Sequence, residues 1–279
     1  MNKYKNYYCT SKDKLVTQEL FSIYFNKTFT VAKTKIEPDE DMYRFYKTNI
    51  YHSHQTHEKT FTDKIYFLSR RIMNYFKYKI LNSNKPVKSL LDYGCGNGDF
   101  LKYVSQKGIN VTGVEKSNIA KKVCRSKGLK VFSTIKELSD KKYDVITLWH
   151  VLEHVPSPTN TISSLAKILS DKGIIIIALP NIQSIDSQIF RSEWAALDVP
   201  RHIWHFTPKG LINQLKELGF IMTKRQALIL DAYYISLLSA KRKKLFFPWV
   251  ISFLVGTISN LIALYTKNYS SSIFVFRKL

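Results

Sequence analysis

The chain has 279 residues, 45% of them hydrophobic and 14% aromatic, enough for one large core or a core with an appendage. That composition excludes a disordered or collagen-like chain. Lysine and arginine number 43 against 21 acidic residues, a formal charge of +22 that would suit an anionic partner. The lysines are scattered, however, and only residues 241–244 (KRKK) form a tight block, so a basic composition spread over the whole surface is the plainer reading.

The N-terminus, MNKYKNYYCTSKDK, is polar and lacks an apolar run of signal-peptide length, so export is not expected. Cys9, Cys95 and Cys124 are far apart and form no C-x-x-C pair, which disfavours a disulfide framework or a zinc ribbon and favours a reducing, cytoplasmic setting. Residues 21–35 read as a hairpin with Asn26 and Lys27 between two aromatic strands. Residues 63–82 read as helix. From 89 to 180 apolar runs alternate with helical stretches: strand 89–93, a helix after Gly98, strand 110–115, helix 118–128, strand 130–133, strand 143–150, helix 161–173 and strand 174–180. The run IIIIALP is β-branched and continuous, as in a strand buried on both faces. Such alternation predicts a parallel sheet covered on both sides. A helix near 208–218 closed by Gly219, a strand over 220–230 and a last strand, SSIFVFRKL, complete the chain.

Residues 245–265 are nearly long enough to span a bilayer. Ser252, Gly256, Ser259 and Asn260 fall on one helical stripe, and the last strand must return to the sheet. An amphipathic helix that packs on the core or lies in a membrane interface is therefore expected, with reversible contact to an anionic membrane through 241–266.

The stretch SLLDYGCGNGDFL (89–101) carries the chemistry. Gly94, Gly96 and Gly98 let a strand turn sharply into a helix and let the backbone approach a ligand. The dinucleotide fingerprint is G-x-G-x-x-G, whereas the spacing here is G-x-G-x-G and Asp99 opens the helix. An acid there would repel a pyrophosphate and tolerates a zwitterionic methionine moiety. Asp92 can orient the loop or face an ammonium. Glu115, 17 residues after Gly98, can accept both hydroxyls of a ribose.

These segments, LLDYGCGNGDFL, VTGVE, YDVITLWHVLEHVPSP and GIIIIALPN, resemble the successive motifs of class I S-adenosylmethionine-dependent methyltransferases. LEHV is similar to the branch that includes quinone-biosynthesis O-methyltransferases, and DVPRHIWHFTPKGL (198–211) resembles a segment of bacterial members of unassigned substrate. The resemblance implies an α/β fold: a Rossmann-like, doubly wound, mostly parallel sheet with an antiparallel last strand. It implies an N-terminal hairpin and helical lid (1–85), a cofactor-binding core (86–230), a helical insertion (231–268) and a final core strand (269–279). Asp92, Gly94, Cys95, Gly96 and Gly98 would form the S-adenosylmethionine loop, Glu115 would hold the ribose, Lys116 would lie beside the adenine, and Trp149 and His150 beside the methyl group. Ser133 and Thr134 stand where many members carry an acid for the adenine amine. Arg71 is a candidate for the cofactor carboxylate.

On the acceptor side, His150, Glu153 and His154 share a helical face at offsets of 0, 3 and 4. They fit a general base with its orienting carboxylate, a divalent metal site, or a packing cluster beside the cofactor. The quinone-type relatives have an acid at the first of these places, so His150 weakens a magnesium role. No resident metal is assigned. His202 is a further catalytic candidate. Asn181, Trp194, Arg201 and His205 are substrate-side candidates, with Arg201 either clamping an anionic group or pairing with Asp198 in a corner. His52, His54 and His57 fit a lid better than a metal site, and His54 is taken to touch substrate.

The reading that follows is methyl transfer to an oxygen of a small-molecule, lipid or glycan acceptor. A donor-binding scaffold at a membrane surface is the alternative. A nucleic-acid methyltransferase is disfavoured because WHVLEHVPSP lacks the motif such enzymes carry, and a nicotinamide oxidoreductase by the glycine spacing.

Overall fold

The computed structural model describes residues 3–37, 40–46, 72–81, 86–138 and 141–279. Seven strands form the main sheet: β4 (Ser89–Tyr93), β5 (Asn110–Val114), β6 (Val131–Phe132), β7 (Tyr143–Trp149), β8 (Leu169–Pro180), β10 (Phe220–Ala227) and β11 (Ser271–Lys278). Their order is β10-β11-β8-β7-β4-β5-β6. β4 to β8 are mutually parallel, and β11 runs antiparallel to both of its neighbours. The expected mostly parallel sheet with a reversed last strand is therefore observed.

The isoleucine run of β8 shows why the sheet is buried on both faces. Ile175, Ile176 and Ile177 have no exposed surface. Ile175 and Ile177 enter one apolar cluster, Ile176 and Ala178 the other, as the two-residue period of a strand requires. Truncating any one of these isoleucines to alanine would cost about 2–5 kcal/mol.

Helix 72–81 is α1. It is followed by α2 (Asp99–Ser105), α3 (Asn118–Ser126), α4 (Pro158–Ile168), α5 (Ile185–Phe190), α6 (Pro208–Glu217), α7 (Ile229–Arg242) and α8 (Pro248–Thr266). The start signals are local. Ser117, Ser157, Ser184 and Thr207 each accept a first-turn backbone N–H through the hydroxyl, and proline follows directly in α4 and α6. The largest boundary difference from expectation is at the end of α4. α4 stops at Ile168 instead of continuing to Gly173, and Leu169 is already extended. Pairing decides it: Leu169 lies opposite Tyr143, and Ser170 donates to the Tyr143 carbonyl at 3.0 Å, so β7 draws these residues into β8.

A second sheet was only partly foreseen. β1 (Tyr4–Lys12), β2 (Leu20–Asn26), β3 (Val31–Thr34) and β9 (Trp204–Phe206) form an antiparallel sheet in that order. The hairpin over 21–35 is there, with the Asn26 side chain accepting the Thr30 and Val31 N–H groups across the turn. β1 and β9 were not expected as strands, and β9 ties the N-terminal hairpin to the segment that follows β8. The remainder of the predicted helix 63–82, together with Arg71, His52, His54 and His57, lies outside the described residues.

α8 packs through the stripe read from the sequence. Ser252 donates to the Tyr233 carbonyl, Ser259 to Asp186 and Asn260 to the Ile229 carbonyl. Gly256 permits the close approach: a Cβ there would lie 2.6 Å from Cδ1 of Tyr233.

Candidate active site

Two pockets of chemistry meet at the carboxyl ends of the parallel strands, where open α/β sheets bind ligands. The first is the turn after β4. Gly94, Gly96 and Gly98 have φ of 76°, 53° and 73°, a region that side chains disfavour, so the loop depends on glycine. The Gly94 and Cys95 N–H groups donate to the Val114 carbonyl at the end of β5, which fixes the turn against its neighbour. Glu115 is already engaged: one oxygen accepts from Gly96 N at 2.9 Å and the other from Ser117 N at 2.8 Å. Cys124 adds a contact from Sγ to the Gly96 carbonyl at 3.1 Å. Cys95 is buried beneath the loop, and Lys116 is exposed at its rim.

Asp92 is buried and accepts from the Thr147 hydroxyl at 2.7 Å. Burial pushes its carboxyl up to about 6, against the pull of Thr147 and of Lys77. Lys77, on α1, holds its ammonium 4.6 Å above the Trp149 ring, and Trp149 meets Phe100 edge to face at 5.5 Å. Burial lowers the Lys77 pKa in spite of the Asp92 and Asp231 charges. Two features leave this end ready for a ligand. Among the described residues the Trp149 indole N–H is buried without a hydrogen-bond partner, and a Cβ on Gly96 would meet nothing within 4 Å. At the end of β6, the Ser133 and Thr134 N–H groups donate to the Glu137 carboxylate at 3.1 and 2.9 Å. The sequence was read as having no acid at this strand end. Glu137 supplies one from the following turn, and its spacing of three from Thr134 is the signal that marks it.

The second pocket lies after β7 and β8. His150 adopts φ of 54°, a costly conformation for a side-chain-bearing residue and one often stored at functional sites. It faces Glu153 at 3.5 Å through Nδ1 and Asp231 at 3.6 Å through Nε2. Burial works to lower its pKa, and the two carboxylates outweigh that and raise it. Asp231 opens α7, more than 70 residues away in sequence, and no local motif marks it.

Glu153 is buried, and among the described residues neither carboxylate oxygen is hydrogen-bonded. Burial works against its charge, and the surrounding histidines hold its pKa below the usual range. His154 Nδ1 lies 3.0 Å from the Arg201 carbonyl, and His202 Nδ1 lies 2.8 Å from the Ala196 carbonyl. A carbonyl only accepts, so both rings donate from Nδ1 and turn their Nε2 edges away from these bonds. The rings meet edge to face at 4.5 Å. Burial and the neighbouring His202 pull His154 down to about 4, so it is a neutral imidazole. Ligand atoms of Glu153, His154 and His202 lie within 4.8 Å of one another. Two imidazoles fixed by backbone carbonyls and a buried carboxylate form a donor set that can hold a zinc-like divalent ion. The sequence grouped Glu153 and His154 with His150; the fold puts His202 in that third place.

His205 is buried beside them. Thr34 donates its one hydroxyl proton to the His202 carbonyl at 2.8 Å, so His205 Nε2 donates to Thr34 at 2.9 Å. Burial takes the His205 pKa down to about 3. Glu153, His202, His205, Trp194, Trp204 and Ile182 line a small cavity.

A family model described as a methyltransferase domain matches residues 58–224. The chain belongs to this methyltransferase domain family. Relatives named ubiquinone biosynthesis O-methyltransferase include that of Erwinia tasmaniensis, 29% identical over 133 residues (44% of this chain, 52% of the relative). That of Alkalilimnicola ehrlichii is 30% identical over 157 residues (50% and 64%). That of Rickettsia bellii is 36% identical over 119 residues (39% and 50%). The chain thus matches roughly half the length of these relatives. Among solved structures, magnesium protoporphyrin IX methyltransferase from Synechocystis with bound SAH has a TM-score of 0.52 at 14% identity, covering 81% of this chain and 90% of that one. A sarcosine dimethylglycine methyltransferase from Galdieria sulphuraria, so described in its structure, has a TM-score of 0.51 at 15% identity, covering 76% and 86%. These likenesses establish the class I methyltransferase fold.

Two substrate-side expectations for this methyltransferase are corrected by its structure. Arg201 is fully buried and bound on every side: Nε and Nη2 to Asp198 at 3.0 and 2.8 Å, Nη2 to Asp13 at 3.1 Å and Nη1 to the Phe45 carbonyl at 3.1 Å. It braces the corner and has no free face for a substrate anion. Asn181 is also spent. Its amide donates to the Tyr269 carbonyl at 3.2 Å and accepts from Gln183 N at 3.0 Å, clasping β8 to the approach of β11. Trp194 is buried, with its indole N–H on Asp186 at 2.7 Å, and contributes only a wall of the cavity.

Proposed function

We propose that this methyltransferase uses S-adenosylmethionine and transfers the methyl group to an oxygen of a small-molecule, lipid or glycan acceptor in the cytoplasm. S-adenosylmethionine supplies the methyl group on an already activated sulfonium. The single observation that carries the cofactor assignment is the glycine turn with Glu115 drawn across it, beside the Trp149 indole. Asp92 and Glu115 bring carboxylates to the two ends of that turn, suited to an ammonium and a ribose. The relatives' names support an oxygen acceptor.

The protein's remaining tasks are to position the acceptor, exclude water and take its proton. His150 stands next to Trp149 at the strand end, half exposed, between Glu153 and Asp231. It is the residue placed to accept the proton, with the two carboxylates orienting its ring. Glu153, His154, His202 and His205 form the inner wall that the acceptor would meet.

Incubation with methyl-labelled S-adenosylmethionine and fractionated lipid, glycan and small-molecule extracts tests this, with label appearing in an ether or ester. His150→Ala should lower kcat by about 100- to 10,000-fold, with a much smaller effect on donor affinity. Label found only on nitrogen or carbon, or a His150→Ala enzyme of wild-type rate, would contradict the proposal.

A further inference from the structure

α8 is apolar on the side turned away from the fold. Phe253 is 63% exposed, Leu261 55% and Tyr265 89%, and exposed Val250, Leu254 and Ile258 continue the same stripe. The chain just before the helix adds Phe246 and Phe247, both largely exposed. This is far more contiguous apolar surface than a protein leaves to water without use.

The electrostatics of the same region select the occupant. Residues 232–279 contain seven lysines and arginines and no acidic residue. Lys241, Lys243 and Lys244 are exposed at the amino end of the apolar face, and Lys267 at its carboxyl end. Lys241 holds its ammonium 5.1 Å over the ring of Trp249, so the basic block and the apolar face form one continuous border. Aromatic rings at a rim with cations behind them are the pattern of a helix lying in the headgroup layer.

The helix is long and apolar enough to cross a bilayer by length and composition. Its packing opposes that orientation. Ser252, Ser259 and Asn260 are hydrogen-bonded to α7 and to buried Asp186 of α5, and the chain continues at once into β11, inside the main sheet. One face is bound to the protein along its length, and no described residue covers the opposite face.

We propose that the α7–α8 insertion docks the enzyme on an anionic bilayer, with α8 lying in the plane of the interface. The occupant is a membrane surface, since the uniform positive charge beside the apolar stripe would repel a second copy of this chain and attracts acidic headgroups. The proposal is independent of the methyl acceptor.

Flotation of the full-length protein with phosphatidylcholine vesicles, and with vesicles that also contain phosphatidylglycerol, tests it. Wild type should float with the acidic vesicles and be partly released by salt. Phe253→Glu/Leu261→Glu should reduce the partition about tenfold or more, by removing buried apolar area and adding repulsion. Phe253→Ser/Leu261→Ser should reduce it in the same direction, and Lys243→Glu/Lys244→Glu should abolish the preference for phosphatidylglycerol. Unchanged circular dichroism establishes that the variants fold. A wild type that stays with the soluble fraction, or variants that float equally well, would overturn the proposal. So would a soluble dimer dispersed by Phe253→Glu with no vesicle binding.

Discussion

The cofactor end and the proposed acceptor end of this methyltransferase are built by opposite means. The cofactor end is local. Asp92, the three glycines and Glu115 lie within 24 residues, and the contacts that shape the turn run between β4 and the adjacent β5. The acceptor end is assembled from afar. Arg201 reaches Asp13, 188 positions away, and Thr34 bonds both the His202 carbonyl and His205. A ligand common to many enzymes is met by a short motif, whereas the acceptor's surroundings depend on how the N-terminal sheet docks.

The largest expected effect tests that docking. Arg201→Met should destabilise the protein by about 3–5 kcal/mol, because fully buried Asp13 would lose its cation and Asp198 would keep only Arg242 at 3.5 Å. Denaturant unfolding measures it. A change well under 1 kcal/mol would mean the N-terminal sheet is not held through Arg201.

A second contrast lies between two buried aspartates. Burial raises Asp92 to about 6. For Asp198, burial pushes upward too, but the Arg201 hydrogen bonds and the His202 and Arg201 charges outweigh it and take it down to about 2. A raised carboxyl pKa gives stability that is complete below the unfolded pKa near 4 and is lost as pH rises through about 6. A depressed one gives stability that is present above about 4 and is lost as pH falls through about 2. Each is on the order of 2–3 kcal/mol. Unfolding measured against pH should therefore show Asp92→Asn flattening the decline between about pH 4 and 6. Asp198→Asn should remove much of the loss on the acid side, along with stability at neutral pH. The same slopes in wild type and Asp92→Asn would contradict the buried, proton-avid Asp92.

The smallest effect separates two glycines of one loop. A Cβ at Gly98 would lie 2.6 Å from Leu129 and 2.8 Å from Cys124, while one at Gly96 meets nothing within 4 Å. Both substitutions carry the strain of a positive φ, of about 1–2 kcal/mol. Gly98→Ala should lower the melting temperature more than Gly96→Ala, and Gly96→Ala should act chiefly on donor affinity. Equal melting temperatures would show that the packing behind Gly98 yields freely.

What was legible in the sequence follows the same division. The main sheet could be read because β8 is a β-branched run, the helices begin at serine or threonine caps, and the glycine spacing is specific. β1 was missed because YKNYYCTSK looks polar; it pairs along the edge of a sheet whose far member, β9, is three residues long. Arg201 was open to two readings from Asp198 alone, and only Asp13 and Phe45 decide for the brace. His202 joins Glu153 and His154 because the corner before β9 folds back onto the turn after β7, where the Glu153 carbonyl accepts from the Ile203 and Trp204 N–H groups, a relation with no fixed spacing. Lys77 is one cation among 43 and gains meaning only from the Trp149 ring beneath it.

The central claim is that the glycine turn and Glu115 form an adenosyl sulfonium site. Calorimetric titration of S-adenosylmethionine, S-adenosylhomocysteine and NADH into wild type and Glu115→Gln tests it most directly. The account predicts tight binding of both sulfur compounds and none of NADH. It predicts an affinity loss on the order of tenfold to a hundredfold in Glu115→Gln, the equivalent of one or two charge-assisted hydrogen bonds. Binding of NADH in place of the sulfur compounds, or an unchanged affinity in Glu115→Gln, would contradict it.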